Sequence, residues 1–172
     1  MNKYYTIFFF VLFFSCKNTS STQVKESQQP KMSVVTKHSS VIPLVENSKG
    51  KIQNWKEYQA VTDNLNKFSF ISAKEALNNA LTLNELVRFL KDSIRPKELL
   101  TLSFRTRVNV LENETLRLKD MTFLLSAIKA DEINQQVEKI LAAFSATNSK
   151  INAVYNQLEI DEKINLEDQL KY

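Results

Sequence analysis

Two side chains in this chain could serve as a soft nucleophile or a near-neutral base, Cys16 and His38, and each is the only one of its type among 172 residues. A cysteine reacts as its thiolate. Cys16 ends the run Phe13-Phe14-Ser15-Cys16 and has no second cysteine to pair with, so its chemistry would be modification of the sulfur. His38 sits in a polar stretch, away from the helical part of the sequence. Zinc sites cluster cysteine and histidine ligands, and carboxylate-bridged di-iron bundles draw Glu-x-x-His pairs from two helices. One histidine and one cysteine offer neither. No serine or threonine of the helical region has a histidine near it to act as its base. The single glycine, Gly50, rules out phosphate-cradling Gly-rich loops and dinucleotide fingerprints. The densest acidic group, Glu159, Asp161, Glu162, Glu167 and Asp168, lacks the glycine turn of a calcium loop and reads as a solvated C-terminus. The expectation is a non-enzyme without metal or cofactor.

Cys16 gains meaning from what precedes it. Lys3 supplies a positive charge, and Tyr4 to Phe14 form an eleven-residue run interrupted only by Thr6 and the tyrosine hydroxyls. A bilayer-spanning helix needs about 20 apolar residues, whereas about eleven suits the hydrophobic region of a secretory signal. With the small Ser15 before Cys16, the segment resembles the lipobox of a bacterial lipoprotein precursor. It departs from the usual pattern at Phe13, where leucine is commonest, and at Phe14, where a smaller residue is usual. The resemblance implies that residues 1–15 are removed and that Cys16 becomes the acylated first residue, held in a membrane by its acyl chains. Lys17 in place of aspartate is similar to outer-membrane sorting in enteric bacteria. A passenger cysteine in an ordinary signal, an uncleaved short anchor and a buried core segment are the competing readings of the same residues.

Charge is distributed to match. Residues 17–50 carry five lysines against Glu26 and Glu46, while residues 51–172 carry seventeen basic and seventeen acidic side chains. A nucleic-acid module concentrates basic residues on a folded face; here the excess lies outside the helical region, and no nucleic-acid partner is expected. Ser, Thr, Gln, Asn and Lys clusters with Pro30 and Pro43 make residues 16–50 read as a lipidated N-terminus and a disordered polar tether, too poor in apolar surface to order itself. The patches Val34-Val35 and Val41-Ile42 with Leu44-Val45 are open to docking on the helical domain and are not assigned a strand. With its aromatic signal and Lys/Asn-rich body, the chain is similar to small helical lipoproteins of the Bacteroidota, a likeness that carries no activity with it.

From residue 51 the apolar period becomes helical. Ile52, Trp55, Tyr58, Val61, Leu65 and Phe68 predict a helix over 52–68. Ser72-Ala-Lys-Glu75 has the form of a capping box opening a helix over 72–94, with Thr82-Leu-Asn-Glu85 as an alternative break. Pro96 suits a first turn, and Phe104, Leu111, Leu118 and Leu125 at intervals of seven predict a helix over 96–128. Asp131 reads as the N-cap of a last helix over 131–162, with a competing turn at 119–122. The fold class expected is all-α: residues 51–172 as an elongated antiparallel bundle of about four helices, the two long ones forming a hairpin of matched lengths.

Within that bundle Trp55, Tyr58 and Phe68 read as core, Asn148 as a buried polar residue setting register or as part of a kink with Ser145, Thr147 and Ser149. Arg105 and Arg107 with Glu112 and Glu114 read as an exposed ion-pair face, with a partner-binding surface as the alternative. The function expected is a lipid-anchored scaffold, adaptor or surface-interaction module of the bacterial cell envelope, meeting an unidentified envelope protein. The alternative is an envelope bundle that binds an apolar ligand or senses stress or unfolded protein. That alternative requires a pocket of about 300 Å³ or more between helices, walled by Trp55, Tyr58 and the alanine-rich face of the second helix.

Overall fold

A computed structural model of the chain describes residues 31–170. The Cys16 motif, the expected signal segment 1–15 and the first part of the expected tether lie outside the described residues. The fold is an all-α bundle of five helices: α1 (Glu46–Ile52), α2 (Lys56–Asn66), α3 (Ala73–Asp92), α4 (Leu102–Met121) and α5 (Ala130–Gln169). A two-stranded antiparallel ribbon joins β1 (Val35–Lys37) to β2 (Phe70–Ser72), pairing Val35 with Ser72 and Lys37 with Phe70. No helix among the described residues is long and apolar enough to cross a membrane.

The capping box forms as its residues dictate. The Ser72 hydroxyl accepts the Glu75 backbone N–H at 3.3 Å, and the Glu75 carboxylate accepts the Ser72 N–H at 3.1 Å. That closes two open donors at the start of α3, which then runs unbroken through Thr82 to Asp92. Its small residues Ala73, Ala76 and Ala80 are fully buried, so neighbouring chain segments pack directly on its backbone. Pro96 does not open the next helix. A short 3-10 turn, Lys97–Leu99, intervenes and buries Leu99, and α4 starts only after Thr101, whose hydroxyl accepts the Phe104 N–H at 3.2 Å.

The helix expected over 96–128 ends early. The Thr122 hydroxyl donates to the Lys119 carbonyl at 2.7 Å, the chain tightens into a 3-10 turn at Thr122–Leu124, and Leu125 is exposed rather than in the heptad seam. Ile128 N–H returns to the Leu124 carbonyl at 3.0 Å, and Ile128 is the side chain that regains the core. Lys129, not Asp131, is the N-cap of α5; Asp131 and Glu132 occupy its first turn, where negative charge complements the helix dipole. Twenty residues of α4 against forty of α5 give lengths of about 30 and 60 Å. The hairpin arms are therefore unequal, and α5 is exposed from Asn156 to Gln169 save at the half-buried Glu159.

The expected helix over 52–68 is also divided. Residues 53–55 break it, because Ile52 and Trp55 both turn inward and are buried. The Trp55 N–H is satisfied by the Ile52 carbonyl at 2.9 Å, and the Gln59 side-chain amide donates to the Gln53 carbonyl that the break releases. Trp55 stacks on Tyr58 and lies tilted on Phe104, and Tyr58 stacks on Phe144. Those rings fill the centre of a core completed by Leu83, Leu90, Leu111, Ile133 and Ile140.

Candidate functional site

The largest departure from the tether expectation lies at residues 31–50. Beyond β1 the chain runs along α5 and is tied to it by side chains on one face of that helix. His38 Nδ1 donates to Glu138 at 2.9 Å, and the Ser39 N–H reaches both oxygens of the same carboxylate at 3.2 and 3.4 Å. Ile42 N–H donates to the Ser145 hydroxyl at 3.1 Å, and its carbonyl accepts the Asn148 amide at 2.8 Å. Asn152 accepts from Val45 N–H and donates to the Pro43 carbonyl, both at 3.0 Å. In α1, Asn47 donates to Glu159 at 2.8 Å.

The spacing of these partners explains why the segment orders. Positions 138, 145, 148, 152 and 159 are separated by sevens, threes and fours, which is one stripe of a helix. Seven extended residues from His38 to Val45 cover about 23 Å, and fourteen helical residues from Glu138 to Asn152 cover about 21 Å. An extended strap and a helix thus stay in register over this length. The segment needs few apolar residues because its main-chain groups are satisfied by side chains of α5.

Asn148 is the centre of this seam. Besides Ile42, it accepts the Tyr58 hydroxyl at 2.7 Å, so one buried amide joins strap, α5 and the aromatic core. It is the buried polar residue that its place in an apolar stripe suggests, and α5 is continuous through it. Burial pushes the Tyr58 phenol up to about 12, against the opposing effect of its hydrogen bonds, Asn148 included. Burial alone would raise Glu138, but the Ser39 N–H and His38 hold its carboxyl below the ordinary value. His38 is buried, and its Nε2 has no hydrogen-bond partner among the described residues.

The other expected groupings are arranged differently. Arg107 donates to the Ser103 carbonyl and hydroxyl, Glu112 pairs with Lys91 at 2.6 Å, and Glu114 pairs with Arg117 at 2.8 Å and accepts from Gln136. No ion pair joins Arg105 or Arg107 to Glu112 or Glu114 among the contacts found in the described residues. The acidic residues of the C-terminal region spread along the projecting part of α5, all exposed save the half-buried Glu159. Glu159 is held low by Lys163 at 2.7 Å. It borders a groove of about 190 Å³ with Asn47, Lys51, Glu98, Tyr155, Leu158 and Glu162. Tyr155 there is pushed up to about 12 by burial and by Glu98. Among the described residues no cluster of three or more histidine, cysteine or carboxylate side chains could hold a metal ion. Among the described residues, Trp55 and Tyr58 line none of four surface grooves; one of these, about 360 Å³, is an open apolar trough between α2 and α3 beside Leu86 and Phe89.

Beyond Tyr155, α5 carries Leu158, Ile160, Ile164 and Leu166 exposed among the acidic residues. Compared with models of protein families, with curated proteins and with solved structures, the chain matches none.

Proposed function

We propose that this chain is a lipid-anchored helical protein of the bacterial cell envelope that acts as a non-enzymatic scaffold or adaptor. In this reading acyl groups on Cys16 hold it at a membrane, and the bundle presents the far part of α5 to a partner protein. The observation that carries the second half is the exposed C-terminal part of α5. From Asn156 to Gln169 α5 is largely exposed and leaves Ile160, Ile164 and Leu166 in solvent, while Leu158, Glu159 and Glu162 still border the groove with Asn47, Lys51 and Glu98. A helix polar all round would need no partner, whereas Ile160 and Ile164, four residues apart, share one face of this exposed helix, as the anchors of a helix-in-groove contact do. The aromatic core supports a scaffold over the ligand-binding alternative, because Trp55 and Tyr58 pack on protein rings rather than around a space.

The test is photo-cross-linking in envelope membranes with a photoreactive residue at Ile164 and, separately, at Val110 on the exposed side of α4. A discrete protein adduct at 164 and none at 110 is expected. Equal, diffuse labelling at both positions would contradict a partner surface on α5.

A further inference from the structure

We propose that the end of the bundle where residue 31 enters is the end that rests on the membrane, with the α4–α5 turn, Phe123-Leu124-Leu125, as its lipid-contacting tip. The proposal rests on the anchoring of Cys16 and goes further by giving the bundle an orientation and a second membrane contact. Three observations converge on that end.

The first is topology. Thr36 in β1 accepts the side chain of Asn134 in the first turns of α5, and β2 leads directly into α3. Chain entry, the ribbon, the start of α3 and the turn between α4 and α5 therefore share one end. The second is exposure: Phe123 is 79 %, Leu124 55 % and Leu125 62 % exposed, three consecutive large apolar residues on a turn. The third is charge. Lys119 and Lys129 flank that turn in the sequence with Asp120, Asp131 and Glu132, so the turn's surroundings are mixed, whereas residues 156–170 hold five acidic side chains against Lys163. An anionic leaflet attracts basic side chains near its surface and falls off within a Debye length. The acidic projection of α5 is the part it repels.

The link between anchor and bundle restricts the choice further. Fifteen residue steps from Cys16 to Lys31 span at most about 50 Å. The far end of α5 lies about 60 Å from its start, so the anchor could not hold the molecule upright with that end on the bilayer. The occupant of the apolar turn is accordingly a lipid surface, and the free end of α5 points away from it.

The test uses the full chain, isolated with its acyl groups and reconstituted into phosphatidylethanolamine–phosphatidylglycerol vesicles whose acyl chains are brominated. Trp55, the only tryptophan, is buried and supplies an unquenched background. Phe123→Trp should add an emission component that is blue-shifted and quenched by brominated lipid. Ile164→Trp should add one that is not quenched. Both positions are exposed, so neither replacement endangers folding. Quenching at 123 no greater than at 164, in protein that floats with the vesicles, would overturn the orientation and leave the anchor standing. A blue shift at 123 that depends on protein concentration without vesicles would assign the turn to a second copy and overturn the lipid contact. A chain that neither floats nor carries acyl mass on Cys16 would remove the anchor, and this proposal with it.

Discussion

Asn148 binds Tyr58 and the Ile42 carbonyl from a nearly solvent-free position, so its removal strands two polar groups at once. Asn148→Ala should cost about 2 kcal/mol, since an unsatisfied buried group costs about 1–3 kcal/mol, measured by urea unfolding followed through Trp55 fluorescence. Tyr58→Phe removes only the donor, and a double-mutant cycle with Asn148→Ala should show strong coupling. The phenol also sets a pH dependence. Its folded value is raised from 10 to about 12, so the neutral form is favoured in the folded chain. That contribution is complete below pH 10 and is lost as pH rises through about 12. The urea midpoint of the wild-type chain should fall across that window more steeply than that of Tyr58→Phe, which leaves Tyr155 as the matched background. Asn148 stands out in the sequence because it interrupts an apolar stripe, but its partners lie ninety and more residues away, one of them a backbone carbonyl. His38 could not be read this way. A lone histidine in a polar stretch has no period to betray that it is buried against Glu138.

Helix α1 makes the sharpest test at the scale of elements, because residues 46–50 fall where the sequence reads as tether. Gly50 lies inside α1 with open space around the position of a Cβ. Gly50→Ala should stabilise the protein by about 0.5–1 kcal/mol, the helix-interior difference between the two residues; a neutral result would mean that the segment is not helical. Ser72→Ala should cost about 1 kcal/mol by opening the α3 cap. The core faces of α2 and α3 and the Ser72 cap were legible because period and cap chemistry are local. Leu125 misled because heptad spacing reports which residues would share a face if the helix continued, and says nothing of a threonine that closes it. The polar stripe at 138, 145, 148, 152 and 159 was legible in its spacing, yet a helix-period reading of apolar residues alone passes over it. Ordering of residues 31–50 follows from those side chains together with the segment's own Met32, Val41 and Leu44, which pack against the core.

For the whole molecule, the proposed reading separates stability from partner binding along the unequal hairpin. Ending the chain after Asn156 removes exposed residues and the Asn47–Glu159 bond, and should lower stability by less than about 1 kcal/mol, in keeping with surface contacts, while abolishing the adduct formed from position 164. Loss of the folded state on this truncation would instead make the projection part of the core. The all-α class followed from periodicity and the near absence of glycine, whereas the number and lengths of helices depended on breaks at Gln53–Trp55 and Thr122 that tertiary packing decides. The claim on which the rest depends is that Cys16 holds this bundle at a membrane. Cell fractionation of the wild-type chain and of Cys16→Ala addresses it directly. Wild type should sediment with envelope membranes and resist salt extraction, and Cys16→Ala should pass to the soluble fraction; a Cys16→Ala chain that remains with the membranes as fully as wild type would contradict the account.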